Sequence, residues 1–182
     1  MASVLIVHGA LGHPQENWFP WLKKELEQLG VEVFVPQFPT PEKQTLQNWL
    51  AVFREYDSRL PADSLFVGHS LGVPFLLNVL EKRKAKAAFL VAGFTGLAGN
   101  EFDPCMKTFA QRKFGWQTIK SNCKKFTVYH SLNDPYIKIG KAAELAKNLG
   151  VKVTVVENAG HFNEAAGYKE FDLLLEEIKK EL

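Results

Sequence analysis

A chain of 182 residues with 22 Lys and Arg against 20 Asp and Glu, 46% hydrophobic and 23% charged, has the composition of one globular domain that can bury a core without disulfides or metal. A net charge of +2 gives no electrostatic case for nucleic acid or an anionic membrane as partner. Cys105 and Cys123 are too few for a disulfide framework and form no C-x-x-C pair, no apolar run reaches the ~18 residues of a membrane span, and the segment before Val4 has no basic region or cleavage signal; a soluble, unexported, cytoplasmic protein is expected.

Taken in order, short apolar or β-branched runs at 4–8, 31–36, 64–67, 87–92, 126–130 and 151–157 alternate with helical periodicity at about 17–29, 44–58, 71–83, 104–114, 139–149 and 167–181. Runs of this length without polar alternation are buried parallel strands, and the segments between them are crossover helices. The whole of 1–182 therefore reads as a single α/β domain, a doubly wound three-layer sandwich around a six-stranded parallel sheet. Gly30 and Gly150 fall where a helix ends before a strand, the left-handed position glycine tolerates.

The sharpest local signal is Gly68-His69-Ser70-Leu71-Gly72, a G-x-S-x-G pentapeptide between the third apolar run and the third helical segment. Strand, tight turn and helix in that order hold a serine in a strained conformation with its hydroxyl beyond the sheet, and the glycines let strand and helix approach. Pro74 falls among the first helical N–H groups, which lack intrahelical partners in any case. A serine alone is inert: it needs a base, an acid to orient the base, and donors for the oxyanion. In an open parallel sheet those parts belong just past the strand ends, which here carry His8-Gly9-Ala10-Leu11-Gly12-His13, then Ser131-Leu132-Asn133-Asp134-Pro135, then Asn158-Ala159-Gly160-His161-Phe162-Asn163.

His8-Gly9 after an early strand, the serine pentapeptide after a middle one, Asp134 after a late one and Gly160-His161-Phe162 after the last resemble the α/β-hydrolase fold. The small size, the start at the H-G strand, Trp18-Phe19-Pro20-Trp21 and the Gly160-His161-Phe162-Asn163 ending are similar to the small serine hydrolases related to retinoblastoma-binding protein nine. The resemblance implies a shortened hydrolase fold without the first antiparallel strands, with sheet order 2-1-3-4-5-6, and esterase-like activity; the span between the fourth and fifth strands is too short for a separate lid domain. Relatives near the retinoblastoma binder use an L-x-C-x-E motif for that partner; neither cysteine lies in one, so that partner is not carried over and the protein partner stays open.

In this fold the triad runs nucleophile, acid, base, and only His161 follows both Ser70 and a plausible acid. His8, His69 and His130 are expected to pack or bond locally, with His13 a loop residue near the site. Asp134 is favoured over Asp103, which precedes Pro104 as a helix N-cap would, and over Glu101 and Glu157. Pro135 keeps the Asp134 backbone extended. Oxyanion donors are expected at the backbone N–H of Leu71 and, by the resemblance, of Ala10. Leu11, Trp18 and Phe162 are candidates for an apolar substrate wall; Phe94, Phe102, Phe109, Phe114 and Trp116 lie in the span between the fourth and fifth strands, with room for one helix.

The reading is hydrolysis of a carboxylic ester or similar acyl bond of a small-molecule substrate through an acyl-serine, with Ser70, His161 and Asp134 and with no metal or organic cofactor. Acyl transfer or peptide cleavage would use the same residues. An aspartate nucleophile, as in dehalogenase or epoxide hydrolase relatives, is disfavoured by Ser70. The rival from another class is a silent interaction module on the same scaffold.

Overall fold

The computed structural model describes residues 3–182. Its sheet has six parallel strands, β1 (Ser3–Val7), β2 (Glu32–Phe34), β3 (Leu65–His69), β4 (Ala85–Val91), β5 (Cys123–His130) and β6 (Val153–Val155), in the order β2-β1-β3-β4-β5-β6. Six of the helices between and after them are α1 (Phe19–Gln28), α2 (Leu46–Asp57), α3 (Gly72–Leu80), α4 (Asp103–Ala110), α5 (Trp116–Asn122) and α6 (Ile139–Leu149). A 3₁₀ turn at Glu164–Ala166 and α7 (Asp172–Lys179) close the chain.

The two faces of the sheet follow from the period-2 direction of strand side chains. Val4 and Ile6 of β1 and Leu65 and Val67 of β3 pack under α1 and α7, while Leu5, Val7 and Phe66 pack under α2 to α6. Every residue of the central strands β1 and β3 is buried, which explains the absence of polar alternation in Val4–Val7 and Leu65–Val67. Helix α3 is buried from Gly72 to Leu80, with its polar Asn78 satisfied by donating to the carbonyls of Pro74 (2.7 Å) and Phe109 (3.0 Å).

Differences from expectation are local. The edge strands β2 and β6 are three residues each, shorter than the apolar runs, because each has a neighbour on one side only. The span between β4 and β5 holds two helices rather than one: the helical run stops at Ala110, and Phe114, Gly115 and Trp116 turn the chain into α5. The last helix starts at Asp172 instead of 167, since Gly167 (φ 82°) terminates the 3₁₀ turn in the left-handed region. Asp103 is the first residue of α4 and not its cap; its carboxylate accepts from the N–H groups of Ala98 (2.8 Å) and Gly99 (3.0 Å) in the preceding loop.

Gly72 is where helix and sheet come closest. A Cβ there would lie 2.4 Å from the Val7 carbonyl oxygen and 3.0 Å from that of His8, both main-chain atoms of β1 and its exit that cannot retreat without breaking the sheet. Gly72→Ala is therefore expected to cost about 1–3 kcal/mol or more as overpacking. Urea unfolding measures it; a variant as stable as the parent would show that α3 can slide away from β1.

Candidate active site

Ser70 leaves β3 with φ 52°, a left-handed conformation that is strained for a serine, and its N–H is anchored to the Val91 carbonyl at 2.9 Å. The strain is enforced from both sides. A Cβ on Gly68 would meet Leu76 Cδ1 at 2.9 Å and the Gly72 carbonyl at 3.0 Å, so the tight turn requires both glycines of the pentapeptide. The turn points the serine into a cleft of about 230 Å³ at the carboxyl ends of the strands, lined also by Gly9, Ala10, Leu11, His69 and His161.

Asp134 and His161 meet across the ends of β5 and β6: His161 Nδ1 donates to Asp134 Oδ2 at 2.8 Å, and the aspartate side chain is fully buried. Its other oxygen accepts from the N–H groups of Tyr136 (2.8 Å) and Ile137 (3.0 Å), a local turn around Pro135 that fixes the carboxylate independently of the imidazole. Burial pushes the Asp134 carboxyl up, but the hydrogen bond and charge of His161 and the two N–H groups outweigh it and hold its pKa below the ordinary value. With Nδ1 committed as donor to a carboxylate, Nε2 of neutral His161 carries the lone pair.

The remaining histidines separate by burial. His69 is buried, and its Nε2 lies 2.8 Å from the carbonyl oxygen of His161; because a carbonyl only accepts, this nitrogen carries the proton. Burial lowers the His69 pKa to about 3. His8 likewise donates from Nδ1 to the Gly9 carbonyl (2.8 Å) and accepts the Phe38 N–H at Nε2 (3.1 Å), neutral with a pKa lowered to about 4 by burial. His130 donates to the Ile137 carbonyl at 2.8 Å and so props the acid turn from beneath. His13 does not line the cleft; it is an exposed loop residue 3.9 Å from Glu16.

Several predicted wall residues lie elsewhere. Trp18 is fully buried and donates its indole N–H to the Phe162 carbonyl at 3.0 Å, holding the chain just after His161 instead of facing substrate. Phe162 is fully buried against Phe171 and Tyr168 at φ 53°, on the α1/α7 side of the sheet. Leu11, half exposed, does line the cleft. Of the aromatics between β4 and β5 only Phe102 reaches the cleft, whereas Phe94, Phe109 and Phe114 are core. Glu157 sits in the turn beyond β6, exposed, and among the described residues no hydrogen bond or ion pair joins it or Glu101 to His161.

Residues the sequence did not single out complete the site. Ser131 Oγ accepts the Ala159 N–H (3.1 Å) and Asn133 Oδ1 accepts the Gly160 N–H (2.9 Å), so the acid loop and the base loop are clipped together, the second bond one residue from each catalytic candidate. The S-x-N-D spacing after a strand was their only signal in the sequence. Tyr136 stands edge-on to His161 at 5.0 Å between ring centres and to Phe102 at 5.8 Å, and with Met106 and Ile137 supplies the apolar part of the cleft wall, the polar part coming from side chains that include Glu16, Asn17 and Asn163. On the far side of Ser70, the N–H groups of Ala10 and Leu71 donate no hydrogen bond among the described residues, although Leu71 is fully buried at the start of α3. Unpaired donors at a buried helix start are places where an anion is stabilised.

The likeness to known proteins extends over nearly the whole chain. The family model described as serine hydrolase matches residues 4–180. The chain belongs to the serine hydrolase family. Within the family it is 30% identical to the YdeN protein of Bacillus subtilis (strain 168) over 98% of this chain and 97% of that one. It is 28% identical to the serine hydrolase RBBP9 of Rattus norvegicus, over 91% of this chain and 87% of the relative. The crystal structure of the B. subtilis ydeN product superposes with a TM-score of 0.92 over 100% of this chain and 98% of that one, at 28% identity when aligned by structure. Est1E of Butyrivibrio proteoclasticus, solved with ferulic acid bound, shares the α/β-hydrolase fold at TM-score 0.75 and 16% identity, covering 99% of this chain and 87% of that one. The chain is thus a small serine hydrolase of the RBBP9 family with the sheet order its sequence resemblance implied.

Proposed function

We propose that this hydrolase cleaves carboxylic esters of short or medium acyl chain through an acyl-enzyme on Ser70. The observation that carries the reading is the 2.8 Å bond from His161 Nδ1 to the buried Asp134 carboxylate, in the cleft that the strained Ser70 enters. Asp134 fixes the imidazole tautomer, so His161 Nε2 takes the proton as Ser70 Oγ attacks the acyl carbon. The N–H groups of Ala10 and Leu71 stabilise the tetrahedral oxyanion, the second aided by the start of α3. Proton return to the leaving alcohol frees it, and water repeats the sequence on the acyl-serine. Side chains and main-chain donors suffice for each step, so the route requires no metal or organic cofactor. The cysteine pair is free, with Cys123 buried, which favours a reducing compartment; among the described residues no helix is long and apolar enough to cross a membrane.

A cleft of about 230 Å³ is small for a ligand site, and α4 and α5 pack into the core through Met106, Phe109, Ala110 and Ile119. Both helices are part of the packed core, and α4 forms a wall of the cleft through Met106 and not a mobile cap. The expected result is labelling of wild-type protein by a fluorophosphonate probe, turnover of p-nitrophenyl esters that peaks at short to medium chains, and no rate increase when a long-chain ester passes its micellar threshold. A folded protein that never labels at neutral pH would instead support the interaction-module reading.

A further inference from the structure

We infer that Gln44 is a positioning residue for the oxyanion turn, an assignment that rests on the proposed acyl-serine route. Gln44 stands one residue before the cap of α2, far from the nucleophile in sequence, and its side chain is buried. Its amide is spent on three different segments. Oε1 accepts the Leu11 N–H at 3.0 Å and the Thr40 hydroxyl, while Nε2 donates to the Cys105 carbonyl at 3.2 Å.

The first of these bonds acts on a strained turn. Residues 9 to 12 reverse the chain after β1, closed by a long bond from the Gly12 N–H to the Gly9 carbonyl at 3.4 Å. Leu11, at the third position of the turn, has φ 58°, where glycine or asparagine would be expected and a γ-branched leucine is strained. The relaxation open to such a turn is a flip of its central peptide, between Ala10 and Leu11, which would return Leu11 to negative φ. That flip would swing the Leu11 N–H away from Gln44 Oε1. The hydrogen bond therefore opposes the flip directly, and with it holds the Ala10 backbone beside Ser70 and the Leu11 side chain at the cleft wall.

The third bond makes the arrangement more than local. Cys105 lies in the first turn of α4, between Phe102 and Met106, the two residues by which that segment lines the cleft. A second tie, from the Leu46 N–H to Thr108 Oγ1 at 3.0 Å, runs parallel to it. One buried amide thus sets the oxyanion turn and the apolar wall in a common frame, and the Leu46 tie keeps α4 against α2 when Gln44 is changed. Gln44 touches no reacting atom; its effect is exerted through the Ala10–Leu11 peptide.

The test compares Gln44→Met, which keeps the length and cannot bond, with Gln44→Glu, which keeps an acceptor for Leu11, and with Thr45→Ala, which removes the adjacent cap of α2 without touching the turn. Steady-state kinetics on a p-nitrophenyl ester would show kcat of Gln44→Met down about 10-fold or more with KM changed less than threefold. Affinity for an alkylboronic acid, which forms a tetrahedral adduct on the serine, would fall by a similar factor. Gln44→Glu would recover most of kcat, and Thr45→Ala would lower thermal stability with kcat unchanged. Equal loss of kcat in Gln44→Met and Thr45→Ala, in step with their stability, would overturn the assignment, as would a Gln44→Met enzyme with wild-type kcat and boronate affinity. Ser70→Ala is run alongside: if it retains turnover the acyl-serine route itself fails, whereas a dead Ser70→Ala beside a fully active Gln44→Met fails the Gln44 assignment alone.

Discussion

Ser70→Ala is expected to abolish acyl-enzyme formation and fluorophosphonate labelling while the protein folds as before. The hydroxyl faces the cleft and makes no hydrogen bond among the described residues, so removing it leaves no buried group unpaired and opens no core cavity. Alanine also tolerates the left-handed backbone about as poorly as serine, so the turn, clamped by Gly68 and Gly72, keeps its shape. Any residual rate above water would come from the oxyanion donors and from binding, and the loss in kcat should approach ~10⁶ as in enzymes where the nucleophile is removed. Mass spectrometry of the probe adduct and initial rates on a short-chain ester check this. Turnover near wild type, with contaminating esterase excluded, would take Ser70 out of the mechanism.

Asp134→Asn comes second in size and separates the two aspartates that lie between Ser70 and His161. Asparagine keeps the volume and can still accept from Tyr136 and Ile137, but it can offer its amide to His161 Nδ1, which reverses the direction of that bond and puts the proton on Nε2. The base would then face the serine with no lone pair, and turnover should fall by orders of magnitude, about 10⁴ in the serine-protease case. KM should move far less. Asp103→Asn is the contrasting variant, since its carboxylate serves only Ala98 and Gly99 in the loop before α4 and one amide oxygen can retain part of that. Near-normal kcat is expected there; an inactive Asp103→Asn beside an active Asp134→Asn would reassign the acid.

The same variant carries a stability signature with a definite sign. The Asp134 pKa is depressed in the folded protein, so its contribution to stability is present above the unfolded carboxylate value near 4 and is lost as pH falls through the folded value. The difference in unfolding free energy between wild type and Asp134→Asn should therefore be largest near neutrality and shrink in acid. A difference that is flat from neutral to strongly acidic pH would mean that the His161 contact does not bias the carboxylate.

How much of the site was legible in the sequence divides along physical lines. Ser70 and His161 announce themselves because their environments are local: a strained elbow needs glycines at fixed offsets, and a loop after the last strand is a place that chain order alone locates. Asp134 needed one more step, the contrast between a turn after a strand and a residue before a helix. The apolar runs and their alternation likewise determined the parallel sheet, because strands buried on both faces cannot alternate.

What only the tertiary structure decided is where side chains point once three or four segments meet. Trp18 and Phe162 are close to the site in sequence, yet the indole N–H needs a buried acceptor and finds it in the Phe162 carbonyl, which turns both rings into the α1/α7 core. Asp103 has the sequence of a cap, but the loop at Ala98 and Gly99 competes for its carboxylate and wins. Ser131, Asn133 and Gln44 act on backbone groups 27 to 61 residues away, and no local pattern encodes a partner at that distance. Periodicity and turn chemistry are properties of neighbours along the chain, whereas a hydrogen bond between the ends of separate strands exists only after the sheet has brought those ends together.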